Sequence, residues 1–378
     1  MLIGIDAREL CGRPTGVGRY LKGLLSQWAI LPEARTHRFV LFAPDRPASF
    51  SQSPFEWRIL SGGNGTWWEQ LTLARAVKQT RPDVFFAPAY SAPLAISVPL
   101  VLTMHDLSFL VHPEWFRWRE RTRLSWLARR SARRAEIVLA DTAYIRGEIV
   151  ERLDLPAARI RVVPPGVTVP GISGDAAAGS GPDPARSGRH MKGDPTVLFV
   201  GSIFNRRHLP DLIEAFAQVV CRYPDSRLEI VGENRTHPHQ NLEALVSRLN
   251  IPQRVRIRPY EPDEVLRQLY EHARVFAFLS DYEGFGLPPL EALAMGVPVV
   301  LGDTPVAREV CGDAARYAAP GDIDAVARHL AALLFDPRAR LEVLKHAPQV
   351  LARYTLERAA RETLAVLEEA ATTEATEI

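Results

Sequence analysis

The sequence contains few cysteines, and those it has form no recognisable pattern. Cys11, Cys221 and Cys311 lie far apart, and no CxxC pair occurs in the 378 residues. An odd, scattered set excludes the disulfide framework of small secreted domains and offers no thiolate zinc site. His237 and His239 lie close together without a visible third ligand, and we interpret them as surface-loop residues. The sequence therefore predicts no bound metal and no cofactor.

A targeting segment and an excess of one charge are absent as well. Met1–Asp6 begins like a buried strand, without the basic residues and cleavage site of a signal peptide. We therefore expect a cytoplasmic protein. The formal net charge is +2, close to neutral, and no known binding motif accompanies the arginines, so nucleic acid is not an expected partner.

No apolar stretch qualifies as a membrane span. Residues 84–104 carry no charged side chain and are long enough to cross a bilayer. However, Pro88, Pro93 and Pro99 would each remove a backbone donor and interrupt a helix. We predict two short buried strands joined by a proline-rich loop.

What the sequence does contain is an alternation of short apolar runs and amphipathic segments, the pattern of βα units around a parallel sheet. The predicted strands of the first half are Leu2–Ile5, Phe39–Phe42, Val84–Ala87, Leu100–Met104, Ile137–Ala140 and Ile160–Val163. Those of the second half are Val197–Val200, Leu228–Val231, Val255–Ile257, Val275–Leu279 and Val297–Leu301. Two long helical segments end the chain, Ile323–Phe335 and about Arg338–Ala371.

A segment rich in glycine, alanine, serine and proline interrupts this alternation at residues 171–195, and its composition is typical of a flexible linker. We therefore predict an α/β protein of two Rossmann-like domains, residues 1–170 and 196–354, each built on a doubly wound parallel sheet. A helix at about residues 355–378 is expected to pack back on the first domain. Ligands of such sheets bind at the carboxyl ends of the strands, so the two domains would face each other across a cleft.

The sharpest motif is SDYEGFGLPPLE, Ser280–Glu291. A predicted strand runs into a glycine-rich turn and then into a helix whose first turn holds two prolines, where proline is tolerated. The amides of Gly286 and Leu287, at the positive end of that helix, would form an anion site suited to a diphosphate. Glu283 and Glu291 are placed to accept hydrogen bonds from sugar hydroxyls.

The two glutamates, separated by seven residues and followed by ALAMGVPVV, resemble the signature of the family 4 glycosyltransferases, which have the GT-B fold. The resemblance runs from Gly4 to about Arg316. It implies a nucleotide-diphosphate sugar as co-substrate and transfer with retention at the anomeric carbon. It also implies that Glu283 contacts the donor sugar and that Glu291 contacts the ribose. The donor-binding residues that it implies in this motif are Glu283, Gly284, Phe285, Gly286, Leu287 and Glu291.

A pair of cations follows the first strand of the second domain. Arg206-Arg207-His208 stands where the family's loop usually has Arg-Lys-Asn or Arg-Lys-Gly. Arginine in place of lysine can still bind a diphosphate, and it does so with two donors at once. Positive charge here would stabilise the leaving nucleoside diphosphate. We predict phosphate contacts from Arg206 and Arg207 and a catalytic role for Arg207.

Other predicted site residues rest on the same resemblance. Residues 15–18 (TGVG) lack the third glycine of a dinucleotide fingerprint, but they resemble the family's loop after the first strand, where Gly16 would contact the donor phosphates. His105 follows a predicted strand, and the resemblance implies contact with the transferred sugar near its reacting carbon. Asp106 either orients that imidazole or caps the next segment. Tyr260 matches the family's loop around the nucleobase.

Eight arginines and one acid lie between Arg117 and Arg134, with tryptophans at Trp115, Trp118 and Trp126. Two interpretations remain open. Residues 115–134 would hold the protein peripherally on anionic lipid at the inner face of a membrane, or they form a solvated helix that packs on the sheet through its apolar side.

Together these features predict a metal-independent, retaining hexosyltransferase with His105, Glu283 and Arg207 as its catalytic residues. It would move mannose, rhamnose or glucose from a nucleotide-diphosphate sugar to a glycan or lipid-linked acceptor, in lipopolysaccharide or exopolysaccharide synthesis. Two alternatives remain. One is a nucleotide-sugar epimerase of the same double fold, which needs no acceptor. The other is a non-catalytic protein that binds a nucleotide sugar.

Overall fold

The computed structural model describes residues 1–12, 16–47, 54–63, 65–169 and 194–373. The chain forms two compact units, a first unit of Met1–Gly166 with Leu356–Ile378 and a second unit of Val167–Thr355. The predicted linker at 171–195 lies outside the described residues except for its last two positions.

The first unit contains a sheet of seven parallel strands. They are β1 (Leu2–Asp6), β2 (Arg38–Ala43), β3 (Glu56–Ile59), β4 (Val84–Ala87), β5 (Leu100–Met104), β6 (Ile137–Ala140) and β7 (Ile160–Val162). Their order in the sheet is β3-β2-β1-β4-β5-β6-β7. The strands β4, β5 and β6 are buried along their whole length, because the helices of a doubly wound sheet cover both faces and the strands must be apolar on both.

Helices of the first unit are α1 (Gly16–Trp28), a π-helical turn (Trp68–Leu73) that continues into α2 (Ala74–Thr80), α3 (Ser108–Val111), α4 (Trp118–Arg134) and α5 (Ala143–Leu153). The C-terminal helix, Leu356–Thr373, also belongs to this unit. It packs on α1, where the Trp28 indole donates to the Ala360 carbonyl at 2.9 Å. A side chain at Gly23 would lie 2.8 Å from Leu356, so glycine lets the two helices approach.

The second unit contains six parallel strands. They are β8 (Thr196–Val200), β9 (Arg227–Val231), β10 (Val255–Arg258), β11 (Val275–Phe278), β12 (Val299–Gly302) and β13 (Ala315–Ala318). Their order is β10-β9-β8-β11-β12-β13. The helices are α6 (Leu209–Arg222), α7 (Leu242–Arg248), α8 (Asp263–His272), α9 (Leu287–Ala294), α10 (Pro305–Cys311), α11 (Ile323–Phe335), α12 (Pro337–Leu344) and α13 (Ala347–Leu351).

The predicted fold class, two doubly wound parallel sheets, is confirmed. Two predictions of detail were wrong. The edge strands β3 and β13 were missed, since neither is a fully buried apolar run. The single helix predicted at about Arg338–Ala371 is three helices, because Pro348 sits in the first turn of α13 and a non-helical step precedes Leu356.

The uncharged stretch at 84–104 forms β4, a loop and β5, as predicted. Among the residues that the structure describes, no helix has the length and apolar character needed to cross a membrane.

Candidate active site

Two loops meet at the carboxyl end of the second sheet. The arginine loop, residues 201–208, follows β8, and the acid loop, residues 279–286, follows the neighbouring strand β11. The two loops are hydrogen-bonded to each other, since the Asp281 amide donates to the Arg206 carbonyl at 3.0 Å. The loops that follow adjacent parallel strands share one edge of the sheet, where ligands bind in this class of fold.

Backbone geometry fixes the acid loop. Gly286 has φ +91°, a left-handed conformation that favours glycine, and it immediately precedes α9. Pro288 and Pro289 occupy the first turn of that helix, where their missing N–H groups cost nothing. On the neighbouring strand, a side chain at Gly302 would lie 2.6 Å from the Ser280 carbonyl oxygen. The absence of that side chain allows the loop to lie against β12.

Arg207 is the most constrained member of the arginine loop. Its side chain is 10% exposed, and its guanidinium donates to the Ser202 carbonyl at 2.8 Å. The same guanidinium lies 4.7 Å from the centre of the Phe278 ring, a cation–π contact. These contacts hold the charge at the edge of the sheet instead of leaving it free in solvent.

Both arginines of this loop pair with Glu283. The Nε atoms of Arg207 and Arg206 lie 3.1 Å and 3.6 Å from Glu283 Oε1. The Ser280 hydroxyl donates to the same oxygen at 2.8 Å. Burial alone would raise the pKa of Glu283, but the two guanidiniums and the serine hydroxyl outweigh it and lower that pKa below its ordinary value. The carboxylate is therefore ionised at neutral pH, and two cations surround one anion.

Glu291 lies in α9 and is 1% exposed. Its Oε2 accepts a hydrogen bond from the Tyr270 hydroxyl of α8 at 3.1 Å, and Tyr270 is itself fully buried. The ring of Phe285 is also buried, edge-on against Tyr354 at 5.0 Å. Tyr260, by contrast, is 39% exposed just beyond the carboxyl end of β10. The structure thus brings Arg206, Arg207 and Glu283 into direct contact and leaves the roles predicted for Glu291 and Tyr260 as predictions.

In the first unit, His105 follows β5 and is held through both of its ring nitrogens. Nδ1 lies 2.9 Å from Asp141 Oδ2, and Nε2 lies 2.9 Å from the Pro88 carbonyl oxygen. Two oxygen acceptors at the two ring nitrogens favour a doubly protonated, charged ring, although burial also raises the pKa of its partner Asp141. Burial alone would lower the pKa of His105, but Asp141 and the Pro88 carbonyl raise it above its ordinary value.

Asp141 is the partner that sequence reasoning missed. The strands β5 and β6 are paired with Met104 opposite Ala140, so the next residues, His105 and Asp141, leave the sheet side by side. The signal was an acidic residue directly after a predicted strand, but the strand order was needed to connect it with His105. Asp106 caps the following segment instead, since its Oδ1 accepts from the Ser108 amide at 2.9 Å.

A second charged cluster at the carboxyl end of the first sheet was also not predicted. Arg8 donates to Asp6 at 2.8 Å through Nε and lies 3.1 Å from Glu69. Asp6 and Glu69 are 3% and 2% exposed. The cluster ties the end of β1 to the π-helical turn that holds Glu69.

Gly16 is the first residue of α1 and is exposed. Thr15, the first residue of the predicted glycine loop, lies outside the described residues. His237 and His239 are exposed, and no group of three or more histidine, cysteine or acidic side chains suited to a metal ion occurs within the described ranges.

Two doubly wound parallel-sheet units of this topology have the GT-B fold of glycosyltransferases. Residues 14–169 match the model of Glycosyltransferase Family 4, and residues 184–350 match that of Glycosyl transferases group 1. The chain belongs to the family 4 type of glycosyltransferases.

Curated relatives agree with this assignment. The chain is 30% identical to the O-antigen chain mannosyltransferase B of Escherichia coli over 272 residues, 70% of this chain and 68% of the relative. It is also 30% identical to the D-inositol 3-phosphate glycosyltransferase of Corynebacterium urealyticum, over 60% of this chain and only 55% of that protein's length.

Solved structures show the same fold. A crystal structure of Anabaena HepE in complex with UDP and glucose has a TM-score of 0.75 at 19% identity and covers 98% of this chain and 100% of its own. WaaG, a glycosyltransferase involved in lipopolysaccharide biosynthesis, has a TM-score of 0.71 at 16% identity, with 97% and 99% covered.

Proposed function

We propose that the protein is a retaining hexosyltransferase that uses a nucleotide-diphosphate sugar without a metal ion. The observation that supports this most directly is the pair Arg206 and Arg207 around Glu283, directly before the N-terminus of α9. Two guanidiniums and a helix N-terminus offer the charge and the donors that a diphosphate needs. Ionised Glu283 holds the two guanidiniums together until the diphosphate takes its place beside them.

The proposed roles follow from charge and hydrogen-bonding capacity. Arg206, Arg207 and the amides of Gly286 and Leu287 would bind the diphosphate and stabilise it as it leaves. Glu283, freed in part from the arginines, would accept hydrogen bonds from the sugar. Glu291 would bind the ribose by exchanging or sharing its Tyr270 partner.

Further contacts are proposed from the same resemblance. Tyr260 would border the base, and Gly284 and Phe285 would contribute backbone groups to the donor site. In the first unit, Gly16 would contact the phosphates, and a hydroxyl of the transferred sugar would replace the Pro88 carbonyl as the acceptor for His105 Nε2.

We propose a front-face route for the transfer. The bond between the anomeric carbon and the diphosphate oxygen breaks, and a bond from the acceptor hydroxyl to the same face of that carbon forms. The acceptor proton passes to a donor phosphate oxygen, and the negative charge left on the diphosphate is stabilised by Arg206 and Arg207. Such a route needs no carboxylate nucleophile at the sugar.

The identity of the donor is proposed from the relatives. Among them are an O-antigen chain mannosyltransferase and a serotype-specific mannosyltransferase, so we propose GDP-mannose as the first donor to test and a saccharide on a lipid carrier as the acceptor class. Synthesis of a lipopolysaccharide or an exopolysaccharide would use such a product.

The test is a transfer assay with GDP-mannose, UDP-glucose and dTDP-rhamnose on a lipid-linked or oligosaccharide acceptor, with and without EDTA. Proton NMR of the product would report the anomeric configuration. Transfer with retention that survives EDTA supports the proposal. Donor isomerisation without an acceptor would instead indicate an epimerase, and binding without turnover on every acceptor would indicate a binding protein.

The variant Glu283→Gln separates the binding of the donor from the transfer of the sugar. In Glu283→Gln, Arg206 and Arg207 lose an anion that competes with the phosphates, so nucleoside diphosphate should bind as tightly as in the wild type or more tightly. Transfer should nevertheless fall by about tenfold or more, because a contact to the sugar is lost. Weaker diphosphate binding in this variant would contradict the proposed division of roles.

We further propose that α4 contacts an anionic membrane surface, where a lipid-linked acceptor would lie. The helix exposes Trp118 by 68% and Trp126 by 51%, next to several arginines. Interfacial tryptophans and basic charge together favour anionic lipid. Co-sedimentation with phosphatidylglycerol vesicles should fall in the double variant Trp118→Ala/Trp126→Ala, and equal binding to neutral phosphatidylcholine vesicles would argue against the proposal.

A further inference from the structure

His208 departs from the asparagine or glycine usual at its position, and the structure gives it two partners. Its Nε2 lies 3.0 Å from Asp281 Oδ2 and its Nδ1 lies 3.3 Å from Asp211 Oδ2. Asp281 belongs to the acid loop, and Asp211 lies in the first turn of α6. With a carboxylate at each nitrogen, the ring donates twice and carries a positive charge.

The backbone at His208 explains why this side chain reaches both carboxylates. His208 has φ +49°, in the left-handed region, and stands between the turn Asn205–Arg207 and α6. This conformation ends the turn and directs the ring toward the acid loop. Asparagine adopts the same conformation readily, but its side chain is shorter and uncharged.

The links between the two loops form a set. Arg206 and Arg207 pair with Glu283, the Asp281 amide donates to the Arg206 carbonyl, and His208 pairs with Asp281. The arginines and the histidine are consecutive, and Asp281 and Glu283 are two positions apart. Three ion pairs and one backbone hydrogen bond therefore join the same two segments of chain.

We propose that His208 is a positioning residue for the donor, because its bridge to Asp281 fixes the arginine loop on the acid loop and keeps Arg206 and Arg207 directed at the diphosphate. This inference rests on the proposed function and adds a residue to it. When the diphosphate displaces Glu283 from the arginines, the His208–Asp281 pair still links the two loops.

Charged groups around His208 make the bridge sensitive to pH. Asp211 and Asp281 hydrogen-bond the ring and raise the pKa of His208 from 6.5 to about 9. Asp322 lines the same crevice, but its carboxylate caps α11 by accepting from the Ala325 amide at 2.8 Å. Because the pKa is raised on folding, the stabilisation by this pair is complete below pH 6.5 and is lost as the pH rises through about 9.

The experiment measures dissociation constants of GDP, UDP, dTDP and ADP by calorimetry for the wild type, His208→Asn, Asp281→Asn and the double variant. His272→Asn, an exposed histidine at the end of α8, is the matched control. Positioning predicts that both single variants weaken binding by about tenfold near pH 7 and that the double variant is no worse than either. If Asp281 acted only through its negative charge, Asp281→Asn would instead bind the nucleotides more tightly, because the substitution removes an anion beside the diphosphate.

Dependence on pH supplies a readout that a merely structural histidine would not give. The dissociation constant for His208→Asn is divided by that for the wild type, so that ionisation of the nucleobase affects both equally. This ratio should fall toward one as the pH rises from about 7 to about 10. A ratio that does not change with pH, or tighter or unchanged binding in Asp281→Asn, would overturn the inference. If the wild type binds none of the four nucleotides, the proposed function itself is contradicted. That outcome differs from a failure of the inference about His208, in which the wild type does bind a nucleotide.

Discussion

At the scale of single residues, His105 owes its charge to its neighbours and not to its exposure. A histidine that is only 13% exposed would ordinarily lose its proton, because burial disfavours the charged form. The Asp141 carboxylate on the adjacent strand and the Pro88 carbonyl reverse that preference. The proposed contact between His105 Nε2 and a hydroxyl of the transferred sugar would therefore be made by a charged ring.

Asp141→Asn tests this assignment. The neutral amide removes the anion that raises the pKa of His105, so the ring should lose its charge at a lower pH. We expect kcat to fall by about tenfold to a hundredfold at neutral pH and the alkaline limit of the kcat profile to move to lower pH. Donor binding to the second unit should change little, since Asp141 lies in the first.

The control for this variant is Asp106→Asn, whose carboxylate caps Ser108 and makes no hydrogen bond to the His105 ring. Asp106 is the smallest of the contributors that raise the pKa of His105, so the pH profile should move less than in Asp141→Asn. An identical loss of activity in both variants, with no shift of the profile, would show that Asp141 acts only through folding.

At the scale of elements, the buried cluster of Arg8, Asp6 and Glu69 connects β1 to the π-helical turn Trp68–Leu73. One guanidinium serves two carboxylates that are almost inaccessible to water, so removing it leaves two buried anions without their cation. Removing one member of this cluster is strongly destabilising, even though the intact cluster adds little to stability compared with an apolar replacement of all three side chains.

Arg8→Met should therefore lower the free energy of unfolding of the first unit by about 3–5 kcal/mol. Urea-induced unfolding followed by tryptophan fluorescence would measure it. The matched control is Arg38→Met, whose side chain is 78% exposed beside Glu56, and which should cost less than about 1 kcal/mol. Equal losses in the two variants would mean that the buried carboxylates are neutralised by other means.

The strands also show which parts of the fold could be predicted from the sequence and which could not. The central strands β5 and β11 were found from their apolar runs, because a strand covered on both faces needs no alternation. The edge strand β3 has the sequence EWRI and is only partly buried. It therefore contains no apolar run from which it could be predicted. The acid motif placed Glu283, and the separate arginine pair placed Arg207, after their strands, whereas Asp141 could be linked to His105 only through the pairing of β5 with β6.

At the scale of the whole molecule, the chain begins and ends in the same unit. The C-terminal helix adds Ala360, Leu364 and Leu367 to the core that β1, β2 and α1 form. The first unit is therefore discontinuous in sequence, and the second unit is inserted between its two parts. The helix Leu356–Thr373 of the first unit is therefore synthesised only after the second unit.

Leu367→Ala tests whether the two units are stabilised independently. Leu367 is fully buried in the first unit, and its truncation should cost that unit about 2–5 kcal/mol. Hydrogen exchange should speed up in β1 and β2 and stay unchanged in β8 and β11. Leu334→Ala, an equally buried leucine of α11, is the matched variant of the second unit and should give the reverse pattern.

Nucleoside diphosphate supplies the second readout for this pair. The proposed diphosphate contacts lie mainly in the second unit, so the ligand should restore slow exchange more strongly in Leu334→Ala than in Leu367→Ala, where only the proposed Gly16 contact would protect the first unit. If the ligand instead protects β1 and β2 in Leu367→Ala as strongly as it protects β8 and β11 in Leu334→Ala, the two units unfold as one body. In that case the C-terminal helix would couple donor binding to the stability of the first unit.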